Sequence, residues 1–276
     1  MIWLFERLIL VLDARSKYLR SLILDQIALS RRGHLGSALS IMELVRVLYD
    51  NFLKYRSSDI WWEGRDRFIL SKGHGCMALY AILADKGFFS KSHLQNFCGE
   101  SSFLGGHPER NKVPGVEAST GSLGHGLSIG VGIALSLKIK NMSNKVVVLL
   151  GDGELNEGSI WEAFLSSSKH KLSNLLILID YNKFQSAGPI SEVLEMEPLK
   201  KKFQSFNLAV SEINGHDIQE ITKTLTKKYS NYYGPHVIIC HTIKGKGFKF
   251  AENNLEYHHK NNITDAELNE MTKAIK

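Results

Sequence analysis

A doubly wound α/β domain, with a mostly parallel sheet and helices on both faces, is the fold class that the chain predicts, and three observations carry it. Strand candidates such as Val146-Val147-Val148-Leu149-Leu150 and Leu175-Leu176-Ile177-Leu178-Ile179 are apolar at every position rather than at alternate ones. That is the pattern of strands buried on both faces. These runs alternate with stretches of helical periodicity. No linker-like segment or internal repeat divides the 276 residues, a length that one large domain accommodates. The expected domain therefore spans 1–276, with an N-terminal helix over 1–30 and a C-terminal extension over 245–276.

Taken in order, Leu8, Leu12, Leu19, Ile23 and Ile27 recur at helical steps, and Gly33-His34-Leu35-Gly36 turns the chain at the end of that stripe. Ser40 predicts an N-cap for a helix over 41–53 that carries Leu44, Val45, Val47, Leu48 and Phe52. A short buried strand over 67–70 runs into Ser71-Lys72-Gly73-His74-Gly75, and a helix follows over 77–86. The Gly-rich stretch 103–126, with Pro108 and Pro114, reads as a long loop, and loops of that length in compact domains are usually functional or disordered. A small-residue helix over 127–140 precedes the strand over 146–150, which ends in Gly151-Asp152-Gly153. A helix over 160–170 leads to the strand over 175–180. Two further strands, over 208–213 and 237–240, flank a helix over 218–229.

Composition narrows the function classes. Apolar residues make up 43% and charged residues 22%, which excludes a disordered or fibrous chain. Lys and Arg total 34 against 28 Asp and Glu, but the basic residues are scattered, with short clusters only at 200–202 and 227–228. A solvated surface is expected, and no nucleic-acid partner. Three widely spaced cysteines, Cys76, Cys98 and Cys240, form neither a disulfide framework nor a CxxC motif, so a reducing, cytoplasmic setting is expected. The apolar start is interrupted by Glu6 and Arg7, and no apolar run approaches the roughly 20 residues that cross a bilayer, so no membrane association is expected.

The chemistry concentrates between 146 and 185. Parallel strands joined by a crossover present their carboxyl ends on one edge, so Asp152 after one strand and Asn182 after the next are brought together. A carboxylate oxygen, an amide oxygen and a nearby backbone carbonyl make half of an octahedral shell. Magnesium prefers that shell, completed by phosphate oxygens and water. Gly151 and Gly153 let a phosphate approach the backbone. Taken alone, Gly-Asp-Gly is more often a turn or a cap; the strand–helix–strand context and Asn182 favour the site.

Gly151-Asp152-Gly153-Glu154-Leu155-Asn156-Glu157-Gly158, with Asn182 at its distance, resembles the thiamine-diphosphate motif. More closely, the chain resembles the N-terminal half of transketolase, of the kind split into two polypeptides, over about 19–260. Gly33-His34-Leu35-Gly36, Ser71-Lys72-Gly73-His74-Gly75, Gly106-His107-Pro108-Glu109, Thr120-Gly121-Ser122-Leu123-Gly124-His125-Gly126 and Tyr257-His258 appear in family order. The resemblance implies a diphosphate-binding domain with thiamine diphosphate and Mg2+ (or Ca2+ or Mn2+) as cofactors. By it, Asp152 and Asn182 hold the metal by side chains and Phe184 by its carbonyl. His74, Gly153, Glu154, Asn182 and His258 bind the cofactor, with Gly121, Ser122 and Leu123 lining its pocket. His34, His107 and His258 face the substrate hydroxyls and the reacting carbonyl, and Glu157 lies at a subunit interface as part of a proton relay.

Imidazoles suit two-carbon transfer because their ordinary pKa near 6.5 lets them move protons at hydroxyls and carbonyl oxygens near neutral pH. The family's His-Gly pair is here His258-His259-Lys260, which leaves either histidine as the site residue, His258 being preferred. His125 fits packing or catalysis equally, His216 reads as a turn or cap residue, and His170, His236 and His241 carry no special context. Lys244 and Lys246 suit either a phosphate or a solvated loop. Glu157 has a bland role too, at a helix N-terminus.

Full transketolases continue into a pyrimidine-binding domain and a C-terminal domain. The resemblance therefore implies a separate C-terminal subunit that completes the active site, sugar phosphate substrates and an α2β2 assembly, with little activity from this chain alone. Two other readings stand beside it. One is another thiamine-diphosphate reaction, such as 1-deoxyxylulose-5-phosphate synthesis or 2-oxo-acid decarboxylation. The other is a non-catalytic regulatory paralogue.

Overall fold

A computed structural model of the chain describes residues 12–227 and 234–276. Five strands form one sheet: β1 (Arg67–Leu70), β2 (Val146–Gly151), β3 (Leu175–Tyr181), β4 (Ala209–Asn214) and β5 (His236–His241). Their order is β1-β2-β3-β5-β4, and every neighbouring pair is parallel. Before β1 come α1 (Ala14–Ser30), α2 (Leu35–Ser40) and α3 (Met42–Val47). Between β1 and β2 lie α4 (Cys76–Asp85) and α5 (Gly126–Ile139), and α6 (Gly158–Lys169) crosses to β3. Then α7 (Ile190–Val193) and α8 (Leu199–Ser205) precede β4, α9 (Ile218–Thr226) precedes β5, and α10 (Asp265–Ala274) closes the chain.

Alternate strand residues enter two cores. Val147, Leu149, Leu178 and Ile238 pack with α1 to α4 and α9, whereas Val146, Val148, Leu150, Ile177, Ile179 and Val237 pack with α5, α6 and α8. Both faces are thus covered, which is why these strands are apolar throughout. On α5, Gly130 lies so close to β2 that a Cβ there would stand 2.5 Å from Val148 Cγ2. The small residues of this helix let it press onto the sheet. Asp13 caps α1 by accepting from the Ser16 N–H at 2.8 Å, and Asp217 caps α9 through the amides of Gln219 and Glu220.

The helix expected over 41–53 with Ser40 as its cap is arranged differently. The chain is already helical at Leu35–Ser40, resumes at Met42–Val47 and ends in a π turn at Leu48–Phe52. Ser40 is fully buried inside the first of these, and its hydroxyl reaches Asp180 at 2.7 Å. A buried carboxylate takes this hydroxyl in place of free helix amides. Positions 1–11 of the N-terminal helix, Leu8 among them, and the end of the expected helix over 218–229 fall outside the described residues; α9 stops at Thr226. The stretch 97–125 contains no helix or strand, as expected of a long loop. No helix among the described residues is long and apolar enough to cross a membrane.

Candidate active site

The carboxyl ends of β1, β2, β3 and β5 open into one cavity of about 310 Å³. That edge is where parallel α/β sheets place their ligands, because each connecting loop leaves a strand there. β1 delivers Lys72 and His74, β2 delivers Asp152 and Gly153, β3 delivers Asn182 and Phe184, and the segment after β5 delivers Lys244.

The cavity floor, lined by Lys72 and Asn182, rests on a closed polar network centred on Asp180, which is fully buried in β3. Its carboxylate accepts from Ser40 Oγ at 2.7 Å, from Asn182 Nδ2 at 2.9 Å, and from Lys72 Nζ and Thr242 Oγ1. Burial alone would raise the Asp180 carboxyl; the Lys72 ammonium and these hydrogen bonds overcome it and hold the group below its ordinary pKa. Both charges of this pair are buried, so the geometry is maintained by mutual need: either one left alone would be an uncompensated interior charge.

Above that floor lie the three expected metal donors. Asp152, 3% exposed, accepts from the Gly153 amide at 2.8 Å and the Lys183 amide at 2.5 Å. It forms no ion pair among the described residues. Burial, and then the nearby charge of Asp180, push its carboxyl up to about 7. Asn182 is anchored through its amide nitrogen on Asp180, which turns Oδ1 the other way, toward the Phe184 amide at 3.0 Å. The Phe184 carbonyl accepts from Lys244 Nζ at 3.1 Å. Lys244 is buried, and burial followed by repulsion from Lys72 lowers its ammonium to about 8.

Five imidazoles form the wall. The His34 ring centroid lies 5.6 Å from His74, 5.7 Å from His107, 6.1 Å from His258 and 4.1 Å from His259. His74 and His258 are 5.8 Å apart. All five line the cavity, and none of their rings makes a hydrogen bond among the described residues; His258 Nδ1 is buried without a partner. Burial pushes His34 down to about 4, His258 to about 3, and His74 and His107 below their ordinary value. Neighbouring charges add to it, His259 for His34 and His107 and Lys244 for His258. These four are therefore neutral near pH 7, each with one N–H to donate and one nitrogen to accept. Among the described residues no three His, Cys, Asp or Glu side chains are grouped to hold a metal ion.

The segment 120–124 closes one side. Gly121 has φ +148°, and a Cβ there would lie 2.9 Å from the His107 ring, so glycine both permits the turn and leaves room for the imidazole. Gly121 and Leu123 line the cavity; Ser122 is exposed and lies outside the lining. Glu154 reaches the lining, yet its oxygens accept from Ser71 Oγ, the Gly124 amide at 3.0 Å and the Gly151 amide at 3.1 Å. It ties three loop segments together, and burial pushes its carboxyl up. Glu157 is exposed and stands at the N-terminus of α6 as its N-cap residue, without a side-chain capping bond.

His216 departs from its expected role as a turn or cap. Asp217 makes the cap, while the buried His216 ring bridges Glu43 Oε2 at Nδ1 (2.9 Å) and the Ile243 amide at Nε2 (2.9 Å). Glu43 also pairs with Arg20 at 2.6 Å, and Arg20 donates to the Lys246 carbonyl at 3.0 Å. This second buried network clamps the 243–246 segment that carries Lys244. His236 reaches Ser211 and His241 reaches Glu212, both away from the cavity lining; His125, exposed, bonds the Leu123 carbonyl. The structure also places Ser37, Lys72, Gln185 and Ser186 in the lining, none of which the sequence assigned to the cofactor or metal, and with them His259, the alternative to His258. Asp180 carried a partial signal, as the one charged residue in the otherwise apolar β3, but not its partner Lys72, two residues beyond β1.

Comparison with known proteins gives this geometry a context. Residues 13–275 match the family model described as transketolase, thiamine diphosphate binding domain. The chain is 43% identical over 228 residues to one of the subunits of the apulose-4-phosphate transketolase of Actinobacillus succinogenes, covering 83% of this chain and 82% of that one. It is 37% identical over 247 residues to a subunit of the 6-deoxy-6-sulfo-D-fructose transketolase of a Clostridium species, covering 90% of each. Among solved structures, the transketolase of Pichia stipitis in complex with sedoheptulose-7-phosphate superposes with a TM-score of 0.88 at 28% identity, over 95% of this chain. The chain spans 40% of the length of that transketolase.

Proposed function

We propose, for a chain that belongs to the transketolase family through its thiamine diphosphate binding domain, that it is the cofactor-binding subunit of a two-chain enzyme. That enzyme transfers a two-carbon ketol unit from a ketose phosphate to an aldose phosphate. The observation that carries this reading is the convergence, on one cavity, of five imidazoles without hydrogen-bond partners and the Asp152, Asn182 and Phe184 oxygens.

The residues fit the group. Asp152 is a buried carboxylate with no cation paired to it, beside an amide oxygen and a backbone carbonyl, an all-oxygen set suited to Mg2+ and also to Ca2+ or Mn2+. His74 and the Gly153 backbone face the diphosphate, with the Gly121 and Leu123 backbone beside them and Lys244 offering a cation to the phosphate oxygens. Bound thiamine diphosphate supplies the carbon nucleophile and electron sink for making and breaking a bond beside a carbonyl. His34, His107 and His258 then hold the substrate hydroxyls and carbonyl oxygen. Being neutral, they accept a proton from one hydroxyl and return it to an oxygen without adding a fixed positive charge.

The cavity is open on one side, where a pyrimidine-binding partner chain closes it. Glu157, at the start of α6, stands beside Gly124, and Ile129 (39% exposed) on α5 and Leu165 (58% exposed) on α6 are exposed apolar side chains. This face supports association with a second copy in an α2β2 assembly. The free cysteines suit a reducing cytoplasm.

The test is affinity capture of the tagged chain with its native partner, followed by a donor screen. The screen covers apulose 4-phosphate, 6-deoxy-6-sulfofructose, fructose 6-phosphate, xylulose 5-phosphate and sedoheptulose 7-phosphate, each with aldose phosphate acceptors. The reading expects transfer from at least one ketose only when both chains, thiamine diphosphate and Mg2+ are present. Turnover by the single chain, or by the complex without the cofactor, contradicts it.

A further inference from the structure

One of the five wall imidazoles, His259, is given no individual role above. His259 is exposed, yet it does not point away from the molecule. It lines the cavity and meets His34 edge-on at 4.1 Å, the shortest ring separation in the cluster. It also stands 5.0 Å from His258. Its ring makes no hydrogen bond among the described residues, so both nitrogens are available to a ligand.

The backbone that presents it is fixed. The Gly33 amide donates to the Lys260 carbonyl at 2.9 Å and the Lys260 amide to the Gly33 carbonyl at 3.3 Å, a two-residue antiparallel bridge between the segments that carry His34 and His259. Lys260 Nζ pairs with Glu267 at 2.9 Å, and the Ile263 amide donates to the Arg31 carbonyl at 2.9 Å. The two rings therefore face each other because the chain is pinned on both sides of them.

Depth assigns the role. Lys72, Asp152 and Asn182 are buried at the deep end, Phe184, His74, His34 and His258 are half-buried, and His107 and His259 are exposed at the mouth. With the metal and diphosphate taking the floor, a linear sugar whose carbonyl meets the cofactor above it carries its remaining hydroxyls outward past the mouth. We infer that His259 is a specificity-determining residue: its imidazole hydrogen-bonds a hydroxyl of the ketose beyond the bond that is broken, and so selects donors by the fragment they leave behind. This rests on the two-carbon-transfer reading.

The test uses the two-chain holoenzyme carrying His259→Gly or His259→Asn, with two donors. One is the ketose phosphate turned over fastest in the donor screen. The other is hydroxypyruvate, which carries the same two-carbon unit and no hydroxyl beyond the broken bond. One hydrogen bond to a neutral hydroxyl predicts a rise of about 3- to 10-fold in KM for the ketose phosphate in His259→Gly, with kcat retained. Hydroxypyruvate KM stays unchanged, and His259→Asn recovers part of the loss. An unchanged ketose KM overturns the inference, as does an equal loss with both donors, which would place His259 at the cofactor or in folding. A wild-type complex that turns over neither donor removes the two-carbon-transfer reading, and the inference with it; the wild-type control distinguishes that failure from the others.

Discussion

Asp180, at the floor of the cavity, has four partners within the chain, whereas the five imidazoles on the wall have no hydrogen-bond partner among the described residues. The same contrast separates His216, held at both ring nitrogens, from His258, whose buried Nδ1 has none. A buried polar group that is fully satisfied helps to specify the fold, and one left unsatisfied on the lining of a cavity is open to a ligand. The network around Asp180 is complete within the chain, whereas the wall is open to a ligand.

Breaking the floor should produce the largest effect. Asp180→Ala strands the Lys72 ammonium in the interior and should cost about 3–5 kcal/mol of stability, read as a fall in the urea midpoint. The wall should respond in the opposite sense. His34→Ala should change stability by about 1 kcal/mol or less while lowering transfer by the two-chain enzyme by roughly 10²- to 10⁴-fold. If both variants lose stability equally, the distinction between floor and wall fails.

Asp152 lies between the two regions and sharpens the comparison. With its carboxyl pushed up to about 7, ionisation costs the cofactor-free chain stability at pH 8. Asp152→Asn should therefore stabilise that chain by about 1–2 kcal/mol, the relief being reduced by one backbone amide that the new side chain cannot accept. The same variant should abolish thermal stabilisation by thiamine diphosphate with Mg2+. A destabilised variant that still binds the cofactor would contradict the assignment.

A smaller effect follows from pH. His34, His258 and His236 are depressed from about 6.5 to about 4, 3 and 4. The unfolded chain takes up these protons first, so the stability they contribute is present above pH 6.5 and is lost as pH falls from 6.5 toward 4. Asp152 and Glu154, both raised, act in the opposite direction and soften the slope. Denaturation midpoints between pH 7 and 4 should fall, and less steeply in His34→Asn/His258→Asn.

The fold was legible because the sheet's burial on both faces is written into Val146–Gly151 and Leu175–Tyr181, and the meeting of Asp152 with Asn182 in one cavity because strand ends converge on one edge. The imidazoles His34, His74 and His107 stood out among glycines. Ser40, His216 and the Lys72–Asp180 pair did not show their roles, since each acts through a contact between elements distant in sequence. The His258–His259 ambiguity came from a one-residue register, and the Gly33–Lys260 bridge places both rings on the cavity.

The most direct test is histidine-selective imidazole NMR of the two-chain enzyme, with only this chain labelled. Thiamine diphosphate and Mg2+ should shift His74 and His258, a ketose phosphate should then shift His34, His107 and His259, and His216, His236 and His241 should stay in place. Shifts confined to His216, His236 and His241, with the wall unmoved, would contradict the account.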